Sequence, residues 1–116
     1  MSNKITDSSV IEIKKKVEIL PYVTTRSMFG YQCYSINGKF FAGFGRKDQS
    51  KVIIIRLSKD LQLEALHKKK YLKIKPFSHG AKAGWIELDI SSIKTDRAFY
   101  WVKKGYDYAL NISKFA

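Results

Sequence analysis

The sequence predicts an α+β domain, a two-layer structure in which a mostly antiparallel sheet of about five strands is flanked by N- and C-terminal helices. Three observations support this class. Asn37-Gly38 joins two aromatic-rich apolar runs, which is the strongest short-range signal for a β-hairpin. Other runs alternate with the period of a strand, and both ends of the chain carry helical periodicity. Because the chain has 116 residues, 45% of them hydrophobic, we expect one domain over residues 1–116 and no second domain.

The first helix is expected at residues 8–20. Val10, Ile13 and Val17 recur with helical spacing and therefore fall on one face. Several residues just before this run have side chains that commonly cap helix N-termini. Pro21 disfavours helical geometry in the residue before it, so the helix is expected to end there.

Alternating apolar residues define the strands. We predict strands at residues 25–36, with a break at Gly30, and at residues 39–45, 51–57, 72–77 and 85–90. The run from Val52 to Ile55 is apolar on both faces, which is typical of a central strand. In the last strand, the residues expected to face the core are Ile86, Leu88 and Ile90, and those expected to face away from it are Trp85, Glu87 and Asp89.

Two further helices are expected. Ser58 or Asp60 is suited to cap a short helix that ends near Leu66. The last helix is predicted at residues 95–112, and its apolar face consists of Phe99, Val102, Tyr106, Ala109 and Leu110. Gly105 lowers helix propensity by about 1 kcal/mol relative to alanine. That cost is acceptable where a strand packs close to the helix.

Three segments of the chain resemble a known family. They are RSMFGYQCYSINGKFFAGF (residues 26–44), VIIIRLSKD (residues 52–60) and GWIELDI (residues 84–90). With the C-terminal helix, they look like the N-terminal domain of TfoX/Sxy-type competence regulators, and the last third of the chain also resembles YjbR/MmcQ-like domains. The likeness covers residues 13–110, and its most specific part is Met28-Phe29-Gly30, leading to Asn37-Gly38-Lys39 and Phe41-Ala42-Gly43. The resemblance implies an α+β fold and a role in transcription regulation or at DNA.

Basic residues dominate the charge of the chain. Lys and Arg number 22 against 10 Asp and Glu, which gives a net charge of +12. No acidic residue occurs between Glu18 and Asp48 or between Glu64 and Glu87. A domain of this charge attracts polyanions such as nucleic acid, anionic membranes or acidic proteins. A basic composition also aids solubility, and that simpler interpretation stands beside the first.

A segment rich in lysine and aromatic residues is the best functional candidate. Its candidate phosphate contacts are Lys68, Lys69, Lys70, Lys73, Lys75 and Lys82, and Tyr71, Phe77 and Trp85 lie among them. Lysine neutralises phosphates, and an aromatic ring can stack on an unpaired base. Arg46 and Lys47, at the tip of a predicted hairpin, are a second candidate phosphate contact. The alternative is a solvated surface on which Trp85 packs against lysine stems.

Residues typical of catalysis or metal binding are few. Cys33 is the only cysteine and lies within a predicted strand, so we interpret it as a packing residue rather than a nucleophile. His67 and His79 have no partner at metal-ligand spacing. Gly43-x-Gly45 lacks the third glycine of a dinucleotide-binding motif. We therefore predict no catalytic residue, no metal and no cofactor.

These patterns predict a non-enzymatic accessory or regulatory module, associated with transcription or nucleic acid, that contacts phosphates through a Lys-rich face. The alternative is a protein-interaction adaptor that uses an exposed apolar patch or sheet edge and binds no nucleic acid directly. A small enzyme is the third hypothesis. The first ten residues lack the apolar run of a secretory segment, and the longest apolar run, residues 52–55, is too short to cross a bilayer. We therefore expect a cytoplasmic protein with no membrane partner.

Overall fold

The computed structural model of the chain describes residues 7–28, 30–45, 52–67, 74–78, 80–89 and 94–114. These ranges contain three helices, α1 (Asp7–Glu18), α2 (Lys59–His67) and α3 (Thr95–Lys114). Their strands are β1 (Val23–Met28), β2 (Tyr31–Ile36), β3 (Lys39–Gly45), β4 (Val52–Arg56), β5 (Ile74–Pro76) and β6 (Trp85–Asp89). The α+β class is therefore confirmed, and the ends of α1 and α3 lie within about two residues of the predicted ends, the usual uncertainty of helix boundaries.

The strands of the described residues form one sheet in the order β1-β2-β3-β4-β6-β5, and every neighbouring pair is antiparallel. β4, which carries the apolar run of residues 52–55, lies inside the sheet as predicted. The described part of the strand predicted at residues 72–77 forms β5 at the sheet edge. A cavity lined by residues of β1, β2, β3, β4 and β6 lies on this sheet.

The run predicted as strand at residues 25–36, with a break at Gly30, is interrupted there and forms two strands that pair with each other. The chain turns back near Gly30, which has a φ of +82°, and β1 pairs antiparallel with β2. Met28 lies opposite Tyr31 at the turn. Glycine adopts a positive φ without strain, so this position favours a reversal of the chain. The sheet therefore has one strand more than predicted.

β2 and β3 form the predicted hairpin. Asn37 and Gly38 both have a positive φ, +49° and +79°, as a type I′ turn requires. Farther along the pair, Phe41 is the extra residue of a β-bulge, because the partners on either side of it are paired and it is not. Phe41 lies in the main core, whereas the neighbouring Phe40 packs on the opposite face of the sheet.

The main hydrophobic core lies between one face of the sheet and the helices, all three of which contribute to it. Its largest fully buried side chains are Trp101, Tyr34, Phe41, Phe44, Ile13, Ile36, Ile53, Ile55, Leu57, Ile86 and Leu88. Ile86, Leu88, Val102 and Tyr106 share this core as predicted, and Phe99 packs against it half-buried. Ile90, the remaining residue predicted for this core, lies outside the described residues.

Gly105 allows α3 to lie directly on the sheet. A Cβ atom at this position would be 2.7 Å from Ile55 Cγ2 and 3.1 Å from the carbonyl oxygens of Phe41 and Arg56. Alanine would therefore have to push β3 and β4 away. The condition under which the propensity cost of Gly105 is acceptable, a strand packed close to the helix, is therefore met.

Two tyrosine hydroxyls connect α1 and the turn after it to the rest of the fold. The hydroxyl of Tyr34 in β2 donates to Glu18 Oε2 at 2.8 Å, and that of Tyr106 in α3 donates to the carbonyl oxygen of Pro21 at 3.0 Å. None of the helices in the described ranges is both long enough and apolar enough to cross a membrane.

Candidate binding site on the open face of the sheet

The open face is the face of the sheet opposite the main core, and it carries a second apolar cluster. Tyr31, Cys33 and Ile54 are buried at the centre of this cluster. The half-buried residues around them are Met28, Phe40, Val52, Phe77 and Trp85. All eight residues belong to strands or to the segment that follows β5, so no helix covers this cluster within the described residues.

The open-face cluster surrounds a cavity of about 760 Å³, to which Ser78 and Glu87 add polar groups. Pockets that bind small molecules have volumes of about 300–1,000 Å³ and combine apolar walls with a few polar groups. We refer to this feature as the open-face cavity. Its size and lining fit a ligand with a flat apolar body and a polar edge.

Gly43 allows the residues at the floor of the open-face cavity to pack closely. It lies in β3 between Cys33 of β2 and Ile54 of β4, with which it is paired in the register. A Cβ atom there would be 3.0 Å from Ile54 Cγ1 and 3.3 Å from Cys33 Sγ. Because β3 presents no side chain at this point, Cys33 and Ile54 fill the space over Gly43 and form the floor of the cavity.

The ring of Trp85 is held against the backbone of the loop that precedes β6. A Cβ atom on Gly80 would be only 2.6 Å from Trp85 Cδ1, so a larger residue at position 80 would displace the indole. The Trp85 amide donates to the Gly80 carbonyl at 3.1 Å, and the Phe77 amide donates to the Trp85 carbonyl at 3.2 Å. The loop thus closes on itself and fixes two of the aromatic residues of the cavity.

Gln62 and Arg56 fix the same loop from outside. The buried Gln62 of α2 donates through Nε2 to the Ala81 carbonyl at 2.8 Å and to the Trp85 carbonyl at 3.3 Å. Arg56 Nε donates to the Ala83 carbonyl at 3.1 Å. Sequence analysis missed Gln62, and the one signal for it is a polar residue on the side of α2 that also carries the buried Ala65.

Burial controls the protonation of two cavity residues. It raises the pKa of the Tyr31 hydroxyl, with smaller contributions from the charge of Glu87 and from Cys33. Burial also raises the pKa of the Cys33 thiol. Near neutral pH, Tyr31 is therefore a hydrogen-bond donor and Cys33 a thiol rather than the nucleophilic thiolate. Among the residues that the structure describes, no three His, Cys, Asp or Glu side chains are grouped so as to hold a metal ion.

The structure describes part of the basic and aromatic segment predicted to bind nucleic acid. Lys82 is exposed in the short 3-10 turn before β6, and Trp85 is half-buried on the open face. Lys75 lies in β5, where the register pairs it with Glu87. The other predicted contacts lie outside the described residues; these are Arg46, Lys47, Lys68, Lys69, Lys70 and Lys73.

The structure shows the face and the apolar surroundings of Trp85. Its face of the sheet is the predicted one, because Ile86 and Leu88 are buried in the main core and Trp85 lies on the other side. Among the described residues, Trp85 packs into an apolar cluster, and its packing on lysine stems stays a prediction. The physical reason for the apolar packing is the space left by Gly80 and Gly43, into which the indole and its apolar neighbours fit.

A second basic and aromatic surface lies on the outer side of α3. Tyr100 is 37% exposed, and its ring centroid is 5.3 Å from Arg97 Cζ and 5.3 Å from Lys104 Nζ. Sequence analysis assigned no binding residue to this helix. The signal that was available is the spacing of positions 97, 100 and 104, which places the three residues on one helical face.

Comparisons with known proteins identify the fold. No protein-family model matches the sequence, and a search among curated proteins finds no match. Similar solved structures include the crystal structure of Deinococcus radiodurans protein DR2400, which has a DUF419 domain. The TM-score is 0.69 at 12% sequence identity, over 84% of this chain and 75% of that chain. DUF419 is in the YjbR/MmcQ-like fold family. The chain described here therefore has the fold of a DUF419 protein.

Proposed function

We propose that this protein is a non-enzymatic accessory or regulatory module that binds nucleic acid. The observation that carries the proposal is the aromatic cavity on the open face of an antiparallel sheet in a chain of net charge +12. Sheets that present aromatic side chains on an open face are a common way to stack unpaired bases, and a high positive charge attracts the phosphates. The resemblance to N-terminal domains of TfoX/Sxy-type regulators supports a role in transcription regulation.

In this proposal, basic side chains contact the phosphates and aromatic side chains stack on the bases. The lysines from Lys68 to Lys75, which precede Phe77 in sequence, neutralise phosphates together with Lys82. Arg46 and Lys47 are a further contact. Trp85 and Phe77 stack on exposed bases. Phosphate contacts of this kind are weakly selective for sequence, so we expect affinity for many nucleic acids.

The test is a mobility-shift titration on duplex DNA, single-stranded DNA and RNA at several salt concentrations. The logarithm of the binding constant should fall against the logarithm of salt with a slope of about −0.9 for each duplex phosphate neutralised. The double variant Lys73→Glu and Lys75→Glu should make the slope shallower by about two units.

A matched variant locates the contact surface. Arg97→Glu with Lys104→Glu makes the same change of charge on the outer side of α3 and should leave the slope nearly unchanged. If only this second variant weakens binding, the phosphates contact α3 and the assignment to residues 68–75 is wrong. If the wild type shifts no nucleic acid at about 50 mM salt, where even weak phosphate contacts are favoured, the proposal itself is wrong.

The second candidate function is a protein-interaction adaptor, and an exposed apolar patch favours it. Ile19 is 81% exposed, Tyr22 77% and Ile11 51%, and Ile11 of α1 and Ile19, just after its end, line the same surface groove. Binding through such a patch is insensitive to salt and should be lost in an Ile11→Ser and Ile19→Ser variant. Retained nucleic-acid binding in that variant would separate the two functions.

A further inference from the structure

We propose that the open-face cavity binds one unpaired purine base and prefers guanine. The inference rests on the proposed function, which supplies the nucleic-acid strand that carries the base. It adds which base the sheet recognises. Its basis is the presence of aromatic walls, a carboxylate and an apolar floor in one cavity of about 760 Å³. That volume accommodates a base together with its sugar, since complete small-molecule ligands occupy pockets of this size.

Aromatic side chains form much of the cavity wall. Trp85 and Phe77 come from the two ends of the loop between β5 and β6, and Phe40 comes from β3. Tyr31 stands edge to face against Phe77, with the ring centroids 6.1 Å apart. Rings of this kind stack on any base, because every base has a π face. The walls therefore favour a planar ligand.

Glu87 decides which part of a nucleotide enters. Among the described residues that line the cavity, it alone carries a formal charge. A carboxylate on the wall repels a phosphate, while the chain as a whole, with its net charge of +12, attracts one. The base is therefore expected inside the cavity, and the phosphate is expected outside it.

The chemistry of a carboxylate selects guanine. An ionised carboxylate only accepts hydrogen bonds. Guanine presents two adjacent donors, N1–H and the N2 amino group, which match the two oxygens of Glu87. Adenine presents one donor beside an acceptor on the corresponding edge. A carboxylate has about four lone-pair sites, so Glu87 can accept from a base while it keeps another partner. The hydroxyls of Tyr31 and Ser78 are donors suited to the guanine O6 oxygen.

The cavity is formed before any ligand arrives. The Trp85 ring lies against Gly80, and Gln62 holds the loop through two carbonyl groups. Cys33 and Ile54 fill the space over Gly43 and form the floor. A preformed site needs less ordering on binding, so even a single base can be held.

The first experiment compares ligands on the wild-type chain. Four single-stranded DNAs of twelve residues are used: oligo(dT) alone, and oligo(dT) with one central dG, dI or dA. Inosine keeps the N1–H donor but lacks the N2 amino group. We expect dG to bind best, dI next and dA and dT least, with about ten-fold between dG and dA, the lower end for one good bidentate contact. Free GMP and AMP form a separate arm, measured by titration calorimetry.

The second experiment uses variants. Glu87→Gln should abolish the preference for dG over dA while leaving oligo(dT) binding within about two-fold, because the amide replaces one acceptor oxygen with a donor. Asp89→Asn, two residues away in β6 and not lining the cavity, removes the same charge and should keep the preference. Trp85→Ala should weaken all four strands, and Trp85→Phe should restore most of the binding, since it returns an aromatic face. Thermal melts confirm that each variant is folded.

The outcomes separate this inference from the proposed function. Equal affinity for dG, dI and dA in the wild type overturns the pocket assignment, while salt-dependent binding of those strands leaves the proposed function standing. Binding of free GMP that is lost in Glu87→Gln, without binding to any strand, supports the pocket and removes the nucleic-acid function. Binding of choline in place of GMP would identify an aromatic cage for a cation and overturn the inference.

Discussion

Tyr34 links the sheet to α1 through one hydrogen bond, and its environment makes it sensitive to alkaline pH. Burial first, and then the hydrogen bond to Glu18, raise the pKa of Tyr34 above its ordinary value of 10.0. In the unfolded chain the phenol ionises near pH 10, whereas in the folded chain it stays protonated. Its contribution to stability is therefore complete below pH 10 and is lost as the pH rises toward the folded pKa.

Replacing Tyr34 with phenylalanine should reduce this alkaline loss of stability. Because Glu18 is exposed and regains water, the hydrogen bond itself should cost only about 0.5–1.5 kcal/mol at neutral pH. The free energy of unfolding, measured by urea titration, should then fall less steeply with pH above 10 than in the wild type. Tyr22→Phe is the control, because it removes the same hydroxyl from a residue that is 77% exposed, and it should keep the wild-type slope. Identical slopes in all three proteins would contradict the prediction.

For a single residue of the site, the sequence predicts the face of the sheet on which it lies but not the residues that surround its side chain. The alternation of β6 correctly placed Trp85 opposite Ile86 and Leu88. Its apolar surroundings depend on gaps at Gly80 and Gly43, which lie in other segments, and no local pattern reports such gaps. Gln62 was missed for the same reason, because its partners are carbonyl groups about 20 residues later in the chain, a separation set by the tertiary fold.

At the scale of elements, β6 is the strand on which the sequence and the structure agree best, and Leu88 tests it. Leu88 is fully buried in the main core, so Leu88→Ala should lower the free energy of unfolding by about 2–5 kcal/mol. Leu63→Ala on α2 is the matched control, because Leu63 is 66% exposed, and it should change stability by about 0.5 kcal/mol or less. Both values come from chemical denaturation. A loss at Leu88 as small as that at Leu63 would mean that the register of β6 is off by one residue.

The turn between β1 and β2 shows where element prediction fails. Gly30 marked a break in the run of residues 25–36, but a glycine with positive φ is compatible with both a bulge that continues a strand and a reversal that ends it. Only the pairing of Met28 with Tyr31 decides between them. The buried face of α3 was also predicted incompletely, because Trp101 is fully buried although the predicted apolar face omitted it. The helix packs between the sheet and α1, so its buried arc is wider than one stripe.

At the scale of the whole molecule, the net charge of +12 should make stability depend on salt. Excess positive charge repels itself in the compact state, and salt screens that repulsion. From about 0.01 M to about 1 M NaCl the Debye length falls from about 30 Å to about 3 Å, so the melting temperature should rise by a few degrees. Arg97→Glu with Lys104→Glu changes the charge from +12 to +8, since each substitution replaces a positive charge with a negative one, and should show a smaller rise. Scanning calorimetry measures both, and a melting temperature that falls with salt in the wild type contradicts the argument.

The overall architecture was more predictable than the site. Period-two and helical patterns are local, so they identified the α+β class and the central position of β4. The open-face cavity combines residues of β2, β3, β4 and β6 with the loop at residues 77–85, and such an assembly leaves no compact signature in sequence. The Lys68–Lys75 contacts remain a prediction, because they come from composition and most of them lie outside the described residues.

The hydrogen bond from Tyr106 to the carbonyl of Pro21 joins residues 85 positions apart, and it has a consequence for the newly made chain. α1 leaves the ribosome before any of its packing partners, and α3 leaves after the whole sheet. A nascent chain that ends after β6 has every strand of the described sheet but lacks Trp101, Val102 and Tyr106, which cover the apolar face. During translation, we therefore expect the apolar face of the sheet to be only partly covered until α3 emerges, and exposed hydrophobic surface of this kind makes a chain prone to aggregation.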